Sequence, residues 1–188
     1  MDILSPPIAR QELVLRGFHG EPGHIHIVVE RRQGRLDYAF RVEGTGGGVP
    51  LILPSPKEHP ERRDDLWRHT CFELFLAGRE QPAYLELNLS PGGDWNLYAF
   101  DGYRLGMRPV DVLAAPVLVH GDGLRWHGCL LLQGSTIGTD LDILGAAVWD
   151  IGVAAVLEYE GGRHEYWALA HPAEHPDFHR REAFLAHL

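Results

Sequence analysis

Apolar and polar residues alternate with a period of two along most of the chain, which is typical of β-strands with one buried face. Glycine and proline separate these short segments and predict turns between them. The spacing favours an all-β antiparallel sandwich. A helical turn is predicted at 64–69 and a short helix over 177–188, with Asp177 as its cap and Phe184 and Leu185 as packing residues. The predicted strands are HIHIVVERR (24–32), RLDYAFRVEG (35–44), TCFELFL (70–76), AYLELNLS (83–90), DWNLYAFD (94–101), GLRWHGCLLL (123–132) and VWDIGVAAVLEYE (148–160).

Three consecutive strands, 70–76, 83–90 and 94–100, can be paired by their pattern as a meander in that order. One face is apolar and should be buried between the sheets, and it carries Phe72, Leu74, Leu85, Leu87 and Leu97. The predicted register places Glu73 opposite Glu86 on the other face. A slip by two residues would preserve both faces and change only the partners. The remaining pairs on that second face are Cys71 with Asn88, Phe75 with Tyr84, Asn88 with Asn96, Glu86 with Tyr98, and Tyr84 with Phe100.

Two acids within such an apolar sheet need compensation, because opposed like charges destabilise a sheet and a buried carboxylate is costly without a partner. The compensation could be a cation, a shared proton or a ligand hydroxyl. Arg41, Arg68 and Arg104 are the candidate cations. We expect a concave binding face; an acidic patch paired with arginine or partly solvated, without a ligand, is the alternative.

The bulk properties limit the classes of function. The chain of 188 residues predicts a single domain over 1–188. A formal net charge of -9 gives no electrostatic support for binding nucleic acid or anionic membranes. The sequence shows neither a secretory signal pattern nor an apolar run long enough to span a membrane, so we expect a cytoplasmic protein. Cys71 and Cys129 are expected to be reduced packing residues. The oligomeric state is left open.

Motifs for metal binding and nucleophilic catalysis are weak or absent. His171, His175 and His179 recur at four-residue spacing, which could align zinc ligands on a helix. Pro172 and Pro176 interrupt such a helix, so no metal site is predicted. The patterns GxSxG, HExxH and GxxxxGK[ST] do not occur.

The stretches DDLWRHTCFELFL (64–76), YLELNLSPGGDWNLYAFDGYR (84–104) and YWALAHPAEHPDFH (166–179) resemble the bacterial DOMON-like domain proteins, which are related to the family 9 carbohydrate-binding modules. The resemblance covers residues 8–184. The motif positions matched are Trp67, Thr70, Phe72, Glu73, Phe75, Tyr84, Glu86, Ser90, Pro91 and Gly93, where Thr70 replaces the usual acid. The resemblance implies a sandwich whose curved face holds a ligand, which is sugar in the carbohydrate-binding modules and haem in some DOMON relatives.

The residues and the resemblance together predict a non-catalytic protein that binds a carbohydrate or another small polyhydroxylated ligand without a cofactor. Aromatic rings would come from Tyr84, Tyr98 and Phe75, and from Trp126 or Trp167. One alternative is a haem-binding DOMON domain, in which Met107 would pair with a histidine. Another is a retaining glycoside hydrolase that uses Glu73 and Glu86, about 5 Å apart. The predicted ligand-binding residues are Glu73, Glu86, Tyr84, Asn88, Asn96, Tyr98, Arg68 and Arg104.

Overall fold

The computed structural model describes residues 8–132 and 146–188, and regular structure in these ranges consists almost entirely of strands. Short 3-10 turns occur at Gly46–Gly48, Leu66–Arg68 and Arg181–Ala183. None of the helical segments in these ranges has the length and apolar character needed to cross a membrane. The strands are β1 (Ala9–Gly17), β2 (His24–Arg32), β3 (Arg35–Glu43), β4 (Cys71–Gly78), β5 (Tyr84–Leu89), β6 (Trp95–Phe100), β7 (Arg108–Pro109), β8 (Val117–His120), β9 (Arg125–Leu131), β10 (Trp149–Tyr159), β11 (Arg163–Ala168) and β12 (Ala186–His187).

Strand β1 joins two antiparallel sheets. It pairs with β2 from Ala9 to Leu15 and then with β11 at Arg16 and Gly17. The first sheet has the order β1-β2-β3-β9-β8, and the second has the order β11-β10-β4-β5-β6-β7, with β12 also beside β10. The predicted all-β antiparallel fold is therefore confirmed, as is the adjacency of β4, β5 and β6.

The main core lies between the inner faces of the two sheets. Phe40 of β3 stacks on Phe72 of β4 with ring centroids 4.3 Å apart, and Trp126 of β9 lies 5.1 Å from Phe72. Each large side chain buried in this way stabilises the fold by roughly 1.5–3 kcal/mol. The predicted core residues Phe72, Leu74, Leu85, Leu87 and Leu97 are all fully buried, which confirms the assignment of the apolar face.

One of the two predicted registers is right and the other is wrong. Strands β5 and β6 pair as predicted, with Glu86 opposite Tyr98. Strands β4 and β5 are shifted by two residues, so that Glu73 lies opposite Asn88 rather than Glu86. The connecting turn causes the shift, since the Gln81 amide donates to the Gly78 carbonyl and centres the hairpin one residue later.

The predicted C-terminal helix is also wrong. A single 3-10 turn forms at Arg181–Ala183, after which β12 pairs with β10 through Ala186 opposite Ile151. Pairing with an existing strand and burial of Phe184 override the local helical preference. Leu185, expected to pack, is exposed. The helical turn predicted near Trp67 is present at Leu66–Arg68.

The outer face of the second sheet is covered, so that β4, β5 and β6 are buried at every position. Residues 171–188, here called the C-terminal segment, pack over this face. Phe184 of that segment lies 5.5 Å from Phe75, and a second apolar cluster forms there, separate from the main core. The face that carries the predicted site residues is therefore enclosed rather than open to solvent.

Candidate functional site

A cavity of about 340 Å³ lies between the outer face of the second sheet, the β6–β7 loop and the C-terminal segment. We call it the carboxylate pocket, because two buried glutamates contribute to its wall. Its size falls at the lower end of the range of small-molecule sites, roughly 300–1,000 Å³. The lining residues are Trp67, Glu73, Glu86, Phe100, Arg104, Met107, Val156, Tyr166, Pro176, Phe178 and His179.

The strand period brings the two acids into the pocket. Glu73 alternates with the core residues Phe72 and Leu74, and Glu86 alternates with Leu85 and Leu87, so both carboxylates point away from the main core. With the observed register the two acids are diagonal neighbours on adjacent strands. Diagonal positions on neighbouring strands are farther apart than directly opposed ones, at roughly 7–8 Å, and long side chains still reach each other across them.

Glu73 is a buried acid without a hydrogen-bond partner among the residues that the structure describes. Its exposed fraction is 3%, and it reaches open space through the pocket that it lines. Burial raises its pKa well above the usual range, and the neighbouring Glu86 raises it further. Arg104 acts in the opposite direction but does not outweigh these effects. Glu73 therefore retains its proton to a higher pH than an exposed glutamate does.

Glu86 is better supported than Glu73. The Asn88 side-chain amide donates to Oε1 of Glu86 at 2.7 Å, while Oε2 lies 3.7 Å from Nε2 of His179. Burial raises the pKa of Glu86 to about 7, although the hydrogen bond from Asn88 and the charge of Arg104 both favour the ionised form. Near neutral pH this group can therefore act as either a donor or an acceptor.

His179 forms the roof of the pocket above Glu86. Its Nδ1 lies 2.7 Å from the Tyr84 hydroxyl, which also accepts a hydrogen bond of 3.2 Å from the Arg104 amide. Burial and the nearby Arg104 lower the pKa of His179 to about 4, against a smaller opposing effect of Asp177. Burial likewise raises the pKa of Tyr84 to about 12. The imidazole is thus neutral at pH 7 and supplies no positive charge to the pocket.

Asp177 fastens the β6–β7 loop to the C-terminal segment. Its side chain is buried and accepts hydrogen bonds from the Tyr103 hydroxyl at 2.6 Å, from Arg104 at 3.0 Å and from Arg180 at 3.2 Å. Burial would raise its pKa, but these donors outweigh burial and the pKa is lowered. The ion pair therefore holds two parts of the pocket wall together, and it engages one nitrogen of the Arg104 guanidinium.

Aromatic rings supply the apolar part of the pocket wall. Trp67, in the 3-10 turn before β4, lies edge-on to Tyr98 at 6.1 Å. Phe178 lies 6.4 Å from Tyr166 of β11. Phe100, at the end of β6, lines the pocket and stacks on Tyr84 with ring centroids 4.8 Å apart.

The predicted site residues fall into three groups. Three of them, Glu73, Glu86 and Arg104, line the pocket. Tyr84 and Asn88 lie directly behind it, bonded to His179 and Glu86 respectively.

The third group lies away from the pocket lining. Asn96 and Tyr98 both donate to Asp64, at the end of the long loop after β3, at 2.9 and 2.6 Å. Arg68 is exposed and lies 3.5 Å from Asp65, outside the pocket. Arg41, a candidate cation, pairs with Glu43 on the other sheet.

None of the five predicted aromatic rings is among the described residues that line the pocket, and the rings that do line it were not predicted. Trp126 and Trp167 belong to the main core and do not reach the pocket. Since Trp167 faces the core, its neighbour Tyr166 in the same strand must face the pocket. The alternation along this strand could therefore have predicted Tyr166 as a pocket residue. Phe178 and His179 lie in an irregular segment without periodicity, and their position follows only from the chain path.

The sequence left open a haem held by Met107 and one of the histidines. Met107 and His179 both line the pocket. Nδ1 of His179 is bonded to Tyr84 and Nε2 lies 3.7 Å from Oε2 of Glu86, so a haem iron at Nε2 would have to displace this carboxylate. Within residues 8–132 and 146–188, no group of three histidine, cysteine or acidic side chains could hold a metal ion. His171, the first of the spaced histidines, instead contacts the Arg16 carbonyl. Cys71 and Cys129 are free thiols.

Comparison with known proteins shows likeness at the level of the fold. Neither a family model nor a curated protein sequence matches the chain. Among 31 matching chains of solved structures is a protein from Bacteroides uniformis ATCC 8492, described as a candidate carbohydrate-binding protein. The match has a TM-score of 0.59 and 11% identity, and covers 94% of this chain and 84% of the other. At this identity the match shows that the chain shares the fold of that protein.

Proposed function

We propose that this protein binds a small polyhydroxylated ligand, of which a mono- or disaccharide is the simplest example, in the carboxylate pocket without catalysis. The relation to DOMON-like proteins and family 9 carbohydrate-binding modules belongs to the same proposal. The observation that carries it is Glu73, a buried acid that faces a cavity and has no hydrogen-bond partner among the described residues. Burying a polar group is costly unless it is hydrogen-bonded, and a ligand hydroxyl would supply that bond.

The other pocket residues support the same ligand chemistry. Glu86 can donate or accept a hydrogen bond near neutral pH, because its pKa is about 7. Trp67, Phe100 and Phe178 provide ring surfaces that can cover the apolar face of a sugar ring. The solved structure from Bacteroides uniformis adds support, because its description names carbohydrate binding.

Titration calorimetry with a panel of mono- and disaccharides tests the proposal. The wild-type protein should bind at least one member at micromolar to millimolar concentration. Glu73→Ala should weaken that binding roughly tenfold or more, since one lost hydrogen bond to a charged or buried group is worth about 1.5–3 kcal/mol. Glu160→Gln, an exposed position, serves as the control. The proposal fails if no sugar binds at millimolar concentration, or if Glu73→Ala binds as well as the wild type.

A further inference from the structure

We infer that the ligand of the carboxylate pocket carries a protonated amine, so that the pocket selects an amino sugar or a similar hydroxylated amine over its neutral counterpart. This inference rests on the proposed function and adds the charge of the ligand to it. Three features of the pocket carry it: the balance of fixed charges, the aromatic wall and the unpartnered carboxyl of Glu73.

The fixed charges leave the pocket short of a cation. Two acids, Glu73 and Glu86, line it. Among the described lining residues Arg104 is the only lysine or arginine. The guanidinium of Arg104 is bonded to Asp177 at 3.0 Å, and Asp177 is itself buried. Arg180 also contacts Asp177, at 3.2 Å, so Arg104 divides its charge between Asp177 and the two glutamates of the pocket. Among the described lining residues, one arginine therefore faces two carboxylates, which leaves the pair short of one positive charge if both ionise.

His179 does not supply the missing charge. Its Nδ1 is bonded to the Tyr84 hydroxyl, and burial beside Arg104 keeps the ring neutral. Strands β10 and β11 contribute Val156 and Tyr166 to the pocket wall, neither of which carries positive charge at neutral pH. The titratable and charged groups facing the acid pair are Cys71 of β4, Tyr84 of β5, Tyr98 of β6, Arg104 of the β6–β7 loop, Tyr166 of β11, and Asp177 and His179 of the C-terminal segment.

The aromatic wall favours a cation for a separate reason. Trp67, Phe100, Tyr166 and Phe178 line the same cavity as the two acids. The faces of aromatic rings attract ammonium groups, and the attraction is stronger where water is excluded. A neutral sugar can use the ring surfaces or the acids, but an ammonium group benefits from both. Acids and rings around one cavity therefore favour a hydroxylated amine.

The free carboxyl of Glu73 completes the arrangement. An ammonium group placed beside it would stabilise the ionised form, which burial and Glu86 disfavour. Binding of an amine should therefore be accompanied by release of a proton from the acid pair. Binding of a neutral sugar has no reason to release a proton. The number of protons exchanged on binding thus distinguishes the two ligand classes.

The experiment uses matched ligands on the wild-type protein at pH 6.5. Glucosamine, galactosamine and mannosamine are each titrated beside the parent hexose and the N-acetyl derivative, in two buffers that differ in ionisation heat. We expect each amino sugar that binds to do so at least roughly tenfold more tightly than its neutral partners. We also expect its binding heat to vary with the ionisation heat of the buffer in the direction that shows release of a proton to the buffer.

Glu73→Gln is the informative variant, because it keeps the size and hydrogen-bonding capacity of the side chain and removes the ionisable group. It should abolish both the preference for the amine and the proton release. Glu160→Gln should retain the preference. Melting temperatures of both variants establish that they are folded.

The outcomes separate the inference from the proposed function. Equal affinities for amino and neutral sugars, or binding of the amine without proton release, would overturn the inference and leave the proposed function standing. Absence of binding by every sugar of the panel would overturn both. If Glu73→Gln kept the full preference for the amine, the inference that the ammonium group lies beside Glu73 would also be refuted.

Discussion

At the scale of single residues, the two acids differ in what surrounds them more than in where they lie. Glu86 has a donor in Asn88 and a neighbour in His179, whereas Glu73 has neither among the described residues. Both pKa values are raised, chiefly because burial disfavours the charged form. Ionising the two buried acids therefore costs free energy, and a bound ligand that donates hydrogen bonds to them should reduce this cost.

The raised pKa of Glu86 predicts a pH-dependent effect of Glu86→Gln. A glutamate in the unfolded chain titrates near ~4.3, and Glu86 in the folded chain near 7. Its proton is thus held more tightly in the folded state, and its ionisation destabilises the fold increasingly as pH rises from 4.3 to 7. Glu86→Gln removes this penalty. Its stability relative to the wild type should rise by on the order of 3 kcal/mol across that window.

Chemical denaturation of both proteins at several pH values between 4 and 8 measures this difference. The wild-type curve alone does not, because His179 acts in the opposite direction. Its pKa is lowered to about 4, so its stabilising contribution is lost as pH falls from 6.5 to 4. Glu160→Gln controls for the loss of one negative charge. Parallel curves for the wild type and Glu86→Gln would contradict the environment described for Glu86.

At the scale of elements, the C-terminal segment and the outer face of β10 depend on each other. Gly152 of β10 lies directly beneath Phe184, and a Cβ atom at this position would lie 2.6 Å from the Phe184 ring. The adjacent Ala154 on the same face is also small and belongs to the same apolar cluster as Phe184. Small residues at these positions let the segment pack closely and form the pocket roof that carries His179.

We therefore expect Gly152→Ala to displace the segment. Overpacking of this kind costs roughly 1–3 kcal/mol, more than alanine gains by reducing the entropy of the unfolded chain. The melting temperature should fall, and limited proteolysis should cleave the chain after residue 170 more rapidly. Gly121→Ala is the matched control, because its Cβ would meet atoms no nearer than 3.6 Å. Phe184→Leu should partly rescue Gly152→Ala, and a wild-type melting temperature in Gly152→Ala would contradict the packing.

At the scale of the whole molecule, one core links the two sheets. Strand β1 contributes hydrogen bonds to both sheets, and the stack of Phe40 on Phe72 crosses between them. Neither sheet can therefore lose its inner face without exposing that of the other. We expect the chain to unfold as one cooperative unit, in keeping with the single domain predicted over 1–188.

Phe72→Ala tests this coupling. The lost contacts and the cavity left behind should cost about 3–5 kcal/mol. Tryptophan fluorescence, to which Trp126 of the first sheet and Trp95, Trp149 and Trp167 of the second contribute together with Trp67, should change together with far-ultraviolet circular dichroism in a single transition. Leu105→Ala, at an exposed loop position, should change stability by less than about 0.5 kcal/mol. Two separate transitions in the wild type or in Phe72→Ala would refute one cooperative domain.

The alternation of residue types by itself determined seven of the strands and their faces, but it did not predict β1, β7, β8, β11 or β12. Glu73 and Phe72 must point in opposite directions wherever β4 lies, because successive side chains of a strand alternate. The sequence therefore identified two pocket acids and the core residues beneath them. The pairing of β5 with β6 could also be predicted, since SPGGD leaves little choice of turn.

The tertiary structure alone decided how these faces are used. A slip of two residues preserves every face, so the pattern could not distinguish the predicted register of β4 and β5 from the observed one. The C-terminal segment has no period, and its path is set by pairing with β10 and by the space above Gly152. Those long-range contacts turned a sheet face into a pocket, placed His179 beside Glu86, and bound Arg104 to Asp177. Such contacts join positions far apart in the chain, and local alternation carries no information about them.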